Sequence, residues 1–297
     1  MKKQFGRKRG GDMSLTFIDL FAGIGGFRLG MEQAGHKCLG YVEWDKFARK
    51  SYEAIHNTEG EWTAHDINSI SPGEIPGADV WTLGFPCTDI SKAKNNRKGI
   101  DGESSSTFFT VTNLLKGKSI KPRYLFIENV SDLLKTNGGW DFARLIIELG
   151  EIGYSCTWKV INSEGYVAQN RERVFIIASY GEGCGSEVFP PSRKSNTALK
   201  RVATFDIKAQ DSLKRIYSVD GLCPTLTTMQ GGHRQPKVLL PNGEARKLTP
   251  RECWRLQGFP DSAFNKAQEV NSNSQLYKQS GNSVTVPVIY EIAKRLV

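Results

Sequence analysis

The chain has 297 residues, of which 39% are hydrophobic, enough for the core of one large domain or of two smaller ones. No stretch approaches the roughly 18 consecutive apolar residues of a membrane-spanning helix, and no apolar signal core follows the N-terminal basic residues. We therefore expect a cytoplasmic protein with no membrane partner. The formal net charge of +9 favours a polyanionic partner.

The N-terminal part predicts the first unit of a nucleotide-binding α/β fold. Residues 1–12 are rich in Lys and Arg and are expected to form a disordered tail, either touching nucleic acid or simply solvated. A strand over Thr16–Leu20 leads into the loop Phe21–Gly26, and the helix that follows over Phe27–Ala34 ends at Gly35. Glycines in such a loop let the backbone approach a ligand closely.

Acidic residues follow the next two predicted strands. The second strand ends at Glu43, about 20 residues after the glycine loop, where an acid is placed to hold ribose hydroxyls. Trp44 offers an aromatic face to a purine, and Asp66 comes near the end of a third strand. The loop is G-x-G-G and lacks the third glycine of the usual dinucleotide fingerprint, which disfavours a nicotinamide cofactor.

Cys87 follows a short apolar run that predicts a buried strand, Ala78–Leu83. Gly84 and Pro86 end this strand, so Cys87 is expected on a turn at the carboxyl edge of a sheet, where open α/β sheets bind ligands. The cationic stretch Lys92–Gly99 is typical of a lid that meets an anion, which makes Cys87 a candidate nucleophile. The alternative is a buried structural cysteine, which this stretch taken alone favours and the motifs described below do not. The six cysteines contain no C-x-x-C pair, which argues for reduced thiols and against a zinc site.

Helices and strands continue to alternate after this turn. A strand over Pro122–Ile127 ends at Glu128, which places a second functional group at the edge that carries Cys87; the alternative is an acid that caps the following helical segment. Gln169–Arg173 precedes a late strand. It is either a functional motif or only a charged, solvated segment that leads into that strand. The remaining predicted elements are helices over Thr107–Leu115 and over Arg144–Leu149, the latter ending at Gly150, and strands over Tyr154–Ile161 and Arg173–Ser179.

The alternation stops near Tyr180. The following segment, Gly181–Ser195, is rich in Gly, Ser and Pro and marks a boundary. From there to about Asp261 the pattern predicts short β-like pieces and turns, including the turn Gly231–Gln235 with polar side chains of the kinds that read bases. The apolar run Thr285–Leu296 predicts a last helix.

Six motifs carry a family resemblance. In chain order they are Phe21–Gly26, Gly84–Cys87, Glu128–Val130, Gln169–Arg173, Arg246–Cys253 and Gln279–Val284. Their content and order resemble those of DNA (cytosine-5) methyltransferases of the compact prokaryotic or phage modification-enzyme type. The similarity runs from about Thr16 to the C-terminus, except for the variable region between Gly181 and Ala245.

The resemblance implies a fold class and an activity. The fold would be α/β, with a Rossmann-like, S-adenosylmethionine-dependent methyltransferase domain and a smaller, mostly β or irregular target-recognition domain. We expect residues 13–183 to form the catalytic domain, completed by a C-terminal helix within 279–297, and residues 184–278 to form the recognition domain and hinge. The activity would be that of a DNA (cytosine-5-)-methyltransferase in a restriction–modification system, or of an orphan or phage enzyme.

The implied chemistry gives roles to four residues. Cys87 would add as a thiolate to carbon 6 of a cytosine flipped out of the duplex, which makes carbon 5 nucleophilic. Glu128 would hydrogen-bond or protonate ring N3. By the resemblance, Arg173 would contact the cytosine carbonyl and Arg171 would support the site.

The resemblance also assigns ligands. S-adenosylmethionine is expected at Phe21, Ala22, Gly23, Ile24, Gly25, Gly26, Glu43, Trp44, Asp66, Ile67, Gly84, Pro86, Asn282 and Ser283. Double-stranded DNA is expected at Ser91, Lys92 and Arg97 on a closing loop, and at Thr225, Leu226, Gly231, Gly232, His233, Arg234 and Gln235 in the recognition domain. We expect a monomer without a metal ion, and a restriction endonuclease encoded nearby as a functional partner without a stable complex.

Two departures from the family pattern lie on the closing loop. The family usually has Gln after the catalytic Cys, whereas this chain has Thr88 followed by Asp89. The common Arg-Ser-Gly-type lead into the next helix is Ser105–Thr107 here. Both differences concern loop contacts to DNA rather than the nucleophile or the cofactor site.

Two alternatives change the function. A tRNA cytosine-5 methyltransferase shares these motifs, but it usually carries Cys-Phe-Thr where this chain has Cys223–Thr225, with Pro in the middle. An inactive DNA-binding homologue is the other alternative, and the intact set of Cys87, Glu128 and Arg173 argues against it.

Overall fold

A mixed seven-stranded sheet organises the larger part of the chain. The computed structural model describes residues 14–85, 107–181 and 186–296. The strands of this sheet are β1 (Thr16–Leu20), β2 (Lys37–Val42), β3 (Trp62–Ala64), β4 (Val80–Leu83), β5 (Tyr124–Val130), β6 (Tyr154–Asn162) and β7 (Glu172–Tyr180). Their spatial order is β3-β2-β1-β4-β5-β7-β6. The first five strands pair in parallel, and β7 is antiparallel to both of its neighbours.

The strand order reverses at β1. The chain goes from β1 to β2 and β3 on one side, then returns to β4 and β5 on the other side. In an open α/β sheet, the crevice at the carboxyl ends of the strands beside such a reversal is where ligands bind. This topology confirms the predicted α/β fold class and fixes where the site must lie.

Helices cover both faces of this sheet. The α-helices of the described residues are α1 (Gly26–Gln33), α2 (Lys46–Ile55), α3 (Thr107–Gly117), α4 (Trp140–Ile152), α5 (Asp211–Lys214), α6 (Pro250–Arg255), α7 (Asp261–Val270), α8 (Asn273–Asn282) and α9 (Val286–Ala293). On β1, Phe17 packs with side chains of α1 and α9, whereas Ile18 packs with side chains of α3 and α4. This alternation is the period-two pattern of a strand buried on both faces.

The predicted end of the helix around Arg144–Leu149 is wrong. The helix α4 begins at Trp140 and ends at Ile152, and Gly150 lies inside it. Gly153 provides the C-cap instead, with φ +104°. The left-handed backbone is what a helix C-terminus requires of a glycine, and two glycines three residues apart are equally plausible caps from sequence alone.

The structure also contains a helix where the sequence predicted only β-like pieces. Helix α6 begins after Thr249, whose hydroxyl accepts a hydrogen bond from the Glu252 backbone N–H, while the Glu252 carboxylate accepts one from the Thr249 N–H. Pro250 occupies the first helical position. Thr-Pro-x-Glu is the sequence signature of a capping box, so this helix was readable from the sequence.

A second, smaller sheet follows the large one. Its strands are β8 (Arg201–Thr204), β9 (Arg215–Ser218), β10 (Lys237–Leu239) and β11 (Ala245–Lys247), in the order β11-β10-β9-β8. The pair β9–β10 is parallel and the other two pairs are antiparallel. Because a parallel pair needs a long crossover, residues 219–236 leave this sheet and return to it.

The helices after the small sheet pack on the large one. Asn271, after α7, donates a hydrogen bond of 2.8 Å to the Phe47 carbonyl of α2. Ile24 of the glycine loop shares an apolar cluster with Trp254 of α6 and Leu276 of α8. The predicted division into residues 13–183 with 279–297 and residues 184–278 stays a prediction. The packing joins α6–α8 to the side of the larger domain.

Over residues 14–85, 107–181 and 186–296, no helix has the length and apolar character to cross a membrane. Over the same ranges, no three His, Cys, Asp or Glu side chains gather in a way that could hold a metal ion.

The centre of the large sheet contains an acidic residue, Asp19. It lies on β1 between Tyr41 of β2 and Thr82 of β4 and is fully buried. The Thr82 hydroxyl donates a hydrogen bond of 2.8 Å to Asp19 Oδ1, and Oδ2 has no hydrogen-bond partner among the described residues. Burial raises the pKa of Asp19 to about 7, against the opposing effect of the Thr82 hydrogen bond. The folded protein therefore holds a neutral carboxyl here in mildly acidic solution.

We expect Asp19 to make stability depend on pH. In the unfolded chain its carboxyl ionises near its ordinary value of 3.8, whereas in the folded chain it keeps its proton up to about pH 7. The free energy of unfolding of the wild type, relative to Asp19→Asn, should therefore fall as the pH rises from about 4 to about 7, by on the order of 2–4 kcal/mol. Urea unfolding at several pH values measures this difference.

A second variant checks the cause. Because the Thr82 hydrogen bond lowers the pKa of Asp19, Thr82→Val should extend the pH-dependent window upward. Parallel pH profiles for the wild type and Asp19→Asn would instead show that the pKa of Asp19 is the same in the folded and unfolded chains.

Candidate active site

The glycine loop turns sharply between β1 and α1. Phe21, Gly23 and Gly25 have φ values of 58°, 58° and 81°. A Cβ atom on Gly25 would lie 2.1 Å from the Nε2 atom of the buried His56, so only glycine fits there. A left-handed phenylalanine is strained, and such strain concentrates where a backbone is shaped for a ligand. Residues Phe21–Gly26 thus form a preformed backbone cradle at the carboxyl edge.

Glu43, at the end of β2, holds this cradle in place. Its Oε2 atom accepts a hydrogen bond of 2.7 Å from the Gly23 N–H, and its Oε1 atom accepts one of 2.6 Å from the Asp45 N–H. Burial raises the pKa of Glu43, and these two backbone hydrogen bonds oppose that effect. Each carboxylate oxygen keeps a second lone pair that a ligand hydroxyl can use. The neighbouring Trp44 ring is 76% exposed beside it and can pack on a planar group.

Two further predicted cofactor residues follow β3. Asp66 Oδ1 accepts a hydrogen bond of 2.9 Å from the Asn68 N–H and so caps a short 3-10 turn. Ile67 is buried in the core beneath that turn. The arrangement fixes the Asp66 carboxylate at the surface of the same edge.

The C-terminal motif lies directly on the glycine loop. A Cβ atom built on Gly26 would lie 2.8 Å from Ser283 Oγ, which shows how close the two segments are. Ser283 is buried, whereas Asn282 at the end of α8 is exposed. Gly84 follows β4 on the other side of the strand-order reversal. The backbone cradle, the acid and the exposed indole fit an adenosine-type ligand; Pro86 lies outside the described residues.

Glu128 and Arg173, two of the predicted catalytic residues, lie together at the same edge. Leu83 of β4 pairs with Ile127 of β5, so Glu128 comes one residue beyond the end of that pairing. Arg173 Nε lies 3.0 Å from Glu128 Oε1, yet this buried oxygen accepts no hydrogen bond from any residue that the structure describes. Glu128 is 9% exposed, so the carboxylate is partly desolvated and has spare acceptor capacity.

The strand that leads to Cys87 is tied to the same motif. Asn129 is buried, and its side-chain amide donates a hydrogen bond of 3.4 Å to the Phe85 carbonyl, two residues before Cys87. Cys87 itself lies outside the described residues, as do Ser91, Lys92 and Arg97 of the predicted closing loop. Phe85, the last described residue before Cys87, is thus fixed beside the Glu128–Val130 motif.

Arg171 connects three distant segments. Its side chain is 3% exposed and donates hydrogen bonds to the carbonyls of Leu226, Gly281 and Ser283, at 3.3, 3.3 and 2.7 Å. A buried guanidinium is costly unless its donors are satisfied, so these carbonyls must stay in place. The geometry agrees with a supporting role for Arg171, which remains a prediction.

Two buried glutamines, Gln169 and Gln257, also link these segments. Only Gln169 belongs to a motif that the sequence analysis singled out. Gln169 accepts a hydrogen bond from the Leu226 N–H and donates one to the Leu256 carbonyl, at 3.0 and 2.8 Å. Gln257 donates to the Ser280 carbonyl at 2.7 Å and was missed. The available signal was a glutamine inside the otherwise apolar stretch between Leu256 and Phe259.

Residues Thr225–Gln235, which we call the recognition segment, also touch α8 through their backbone. An ideal Cβ atom on Gly281 would lie 1.9 Å from the Thr227 carbonyl oxygen. Glycine is therefore the residue that permits this approach of two backbones. Together with Arg171 and Gln169, it sets the position of the segment relative to the catalytic edge.

The predicted DNA-contacting residues divide by exposure. Gly231, Gly232, His233 and Arg234 are exposed, and Gln235 is half-buried. Thr225 is exposed but its hydroxyl donates a hydrogen bond of 2.6 Å to the Asn170 carbonyl. Leu226 is 2% exposed, so in this conformation its side chain belongs to an apolar cluster and offers no surface to DNA.

The sequence of this chain matches a known protein family. A model of the family described as C-5 cytosine-specific DNA methylase matches residues 15–220 and 191–297 of the chain. The chain belongs to this family. The type II methyltransferase M.HhaI of Haemophilus parahaemolyticus is 33% identical to this methylase, over 94% of the chain and 93% of its own length. The orphan methyltransferase M.SPBetaI of Bacillus phage SPbeta is 29% identical, over 95% of the chain and 97% of its own length.

A solved structure shares the fold. The Entamoeba histolytica methyltransferase EhMeth superposes with a TM-score of 0.75 at 20% sequence identity, covering 96% of the methylase and 98% of its own chain. Family and fold confirm the resemblance drawn from the six motifs: the methylase is a DNA (cytosine-5) methyltransferase with a Rossmann-like fold. They also imply S-adenosylmethionine as the methyl donor and DNA as the substrate.

We expect Glu43→Ala to weaken binding of S-adenosylmethionine by roughly 1.5–3 kcal/mol, that is, about tenfold to about a hundredfold in Kd. The substitution removes the carboxylate that holds the Gly23 and Asp45 N–H groups and that faces the expected ribose. Glu43→Gln keeps one acceptor oxygen and should lose less. Isothermal calorimetry measures both affinities.

The matched control is Glu53→Ala. Glu53 is an exposed acid of α2 that accepts a hydrogen bond from Tyr41 and does not touch the glycine loop. Its loss should leave the affinity unchanged. An unaltered Kd in Glu43→Ala would remove Glu43 from the cofactor site.

Proposed function

We propose that this methylase transfers a methyl group to carbon 5 of a cytosine flipped out of duplex DNA, through a covalent adduct with Cys87. The observation that carries the proposal is the Glu128–Arg173 pair at the end of β5, with the segment towards Cys87 anchored beside it through Asn129. A carboxyl and a guanidinium at one desolvated edge match the polar atoms along one side of a cytosine ring.

In the proposed reaction, Cys87, Glu128 and Arg173 each act on a different part of the cytosine ring. The Cys87 thiolate forms a bond to carbon 6, and the electron pair of the carbon 5–carbon 6 double bond makes carbon 5 nucleophilic. Glu128 hydrogen-bonds to ring N3 or protonates it, which stabilises the charge that develops there. Arg173 contacts the ring carbonyl. The adduct ends when the carbon 5 proton leaves and the bond to sulfur breaks, which restores the ring.

S-adenosylmethionine supplies an electrophilic methyl group on a sulfonium. The cradle Phe21–Gly26, the acid Glu43 and the exposed Trp44 ring would hold its methionine, ribose and adenine parts. Asp66, Ile67, Gly84, Pro86, Asn282 and Ser283 would complete the pocket. Their role is to orient the methyl towards carbon 5 and to exclude water.

The four cysteines that the structure describes support the choice of Cys87 by exclusion. Burial raises the pKa of Cys38 and of Cys223 to about 12 and that of Cys156 to about 11, and it also raises the pKa of Cys253. The thiolate is the nucleophile, so these four thiols are unsuited to the reaction near neutral pH.

The biological setting is a finer part of the proposal. The relatives include a type II methyltransferase and an orphan phage methyltransferase by name, so we place this chain in restriction–modification or in orphan or phage DNA modification. We propose that it acts as a monomer, and that any cognate endonuclease shares the DNA site without forming a stable complex.

A mechanism-based trap tests the nucleophile. A fluorine at carbon 5 cannot leave as a proton does, so duplex DNA with 5-fluorocytosine at the target should form a cofactor-dependent adduct that survives denaturation. We expect Cys87→Ser to abolish both the adduct and methyl transfer, because a serine hydroxyl is hardly ionised near neutral pH. Glu128→Gln should slow trapping without preventing cofactor binding. A denaturing gel measures the adduct.

The control is Cys223→Ser, which should trap normally. Adduct formation by Cys87→Ser, together with its loss in another cysteine variant, would relocate the nucleophile. Transfer of labelled methyl to tRNA but not to duplex DNA would favour the tRNA alternative.

A second experiment tests base readout. Arg234 is exposed on the turn Gly231–Gln235, and arginine is the side chain that most often contacts guanine. Arg234→Ala should lower the preference for the target over sites with one changed base pair by roughly 1–3 kcal/mol, about fivefold to about 150-fold, while cofactor binding persists. Conversion sequencing of methylated plasmid measures the preference. Lys208→Ala, which removes another exposed cation of the same region, should keep it; an unchanged preference in Arg234→Ala would leave Arg234 without a reading role.

A further inference from the structure

The turn that is proposed to read DNA has an unusual backbone. We call Met229–Gln235 the recognition turn. Four of its seven residues have left-handed φ values: Met229 at 51°, Gly231 at 67°, Gly232 at 56° and His233 at 62°. Two of these are not glycine, and left-handed backbone in such residues costs free energy that surrounding contacts must offset. Because most of the turn is exposed, the restraint must come from its base.

Lys237, the first residue of β10, provides contacts at that base. Its side chain is 3% exposed, and its Nζ atom donates hydrogen bonds to the carbonyls of His233, Leu213 and Gln235, at 2.7, 2.7 and 3.3 Å. A lysine ammonium has three N–H donors, so these contacts use all of them. Across the described ranges, no carboxylate lies within ion-pair distance of Lys237.

A buried ammonium with only backbone partners has a definite consequence. It is stable only while the carbonyls converge on it, so it favours one conformation of the turn over others. Two of its partners belong to the turn, and the third, Leu213, belongs to α5 beneath it. A second link closes the turn, since the Gln235 side-chain amide donates to the Met229 carbonyl at 3.3 Å.

We propose that Lys237 is a positioning residue for sequence specificity: it holds the recognition turn in the conformation in which Arg234 and its neighbours meet base edges. The inference rests on the proposed role of this turn in DNA readout. Lys237 itself does not contact DNA, because it is buried and its donors are all engaged. It acts by preorganising the turn, which lowers the cost of ordering the turn on the correct sequence.

The test compares sequence preference among lysine variants. Full-length wild type, Lys237→Met, Lys237→Arg and Lys247→Met would methylate a plasmid library with random inserts, and conversion sequencing would give the ratio of methylation at the preferred site to that at sites with one changed base pair. We expect Lys237→Met to lower this ratio about tenfold while the Kd for S-adenosylmethionine is unchanged. Lys237→Arg keeps the charge and donors and should recover most of the ratio.

Lys247→Met is the matched control. Lys247 lies opposite Lys237 in the register of β10 and β11 but is exposed, so its loss removes the same charge without touching the turn. An equal fall of the ratio in Lys247→Met would mean a general charge effect and would overturn the proposal. So would a ratio in Lys237→Arg as low as that in Lys237→Met, because the volume of the side chain rather than its hydrogen bonds would then set the turn.

Salt dependence separates positioning from phosphate binding. A lysine that contacts a phosphate weakens binding to all sequences alike when removed, and lowers the slope of log Kd against log salt by about one. We expect the slope of Lys237→Met to equal that of the wild type; a reduced slope would overturn the proposal. If Lys237→Met misfolds and does not bind cofactor, Lys237→Arg alone decides the test. A lowered methylation ratio in that folded variant would contradict the proposal. A wild type that does not methylate duplex DNA would instead count against the proposed function.

Discussion

A buried guanidinium constrains how the parts of this molecule meet. Arg171 lies just before β7 and gives its hydrogen bonds to carbonyls of Leu226, Gly281 and Ser283. These residues come from the recognition segment and from the C-terminal motif, far apart in the chain. Losing any one of the carbonyls would leave a charged donor without a partner away from water, which is among the costlier defects in a folded protein. The catalytic edge, the recognition segment and the end of α8 are therefore held in one arrangement, and Arg173, two residues on, reaches Glu128 within it.

The strand order places the two halves of the chemistry. The reversal at β1 opens a crevice with the glycine loop and Glu43 on one side and Glu128 on the other. On the cofactor side the shape is made by the backbone, because left-handed residues and a carboxylate bonded to N–H groups leave little freedom. On the cytosine side, the groups are side chains with spare hydrogen-bonding capacity. A rigid cradle suits a ligand that is the same in every turnover. The buried Glu128 oxygen, which accepts no hydrogen bond from the described residues, suits the cytosine ring of the proposed flipped-out base.

Much of this was predictable, because the decisive patterns are local. Apolar runs bounded by glycines predicted the strands. Glu43, just after β2, and Glu128, near the end of β5, predicted which edge carries the site. Two kinds of feature escaped. The choice between Gly150 and Gly153 as the cap of α4 depends on the antiparallel strand that follows, which the helix sequence does not contain. The roles of Gln257 and Lys237 depend on backbone carbonyls, which every residue carries and which therefore leave no trace in the sequence. The burial of Leu226 also escaped, because the residues on either side of it in the sequence are polar.

The contact at Gly281 bears on how such enzymes acquire new targets. There the backbone of α8 lies so close to the Thr227 carbonyl that no side chain fits between them. A side chain at a joint could adjust its rotamer to a differently shaped neighbour, but two backbones in contact cannot. A recognition segment taken from a relative would be accepted only if its main chain followed the same path at this point. Diversity can accumulate freely in the exposed residues Gly231–Arg234 further along the same crossover, while residues near Thr227 must be inherited together with their partner helix as one block.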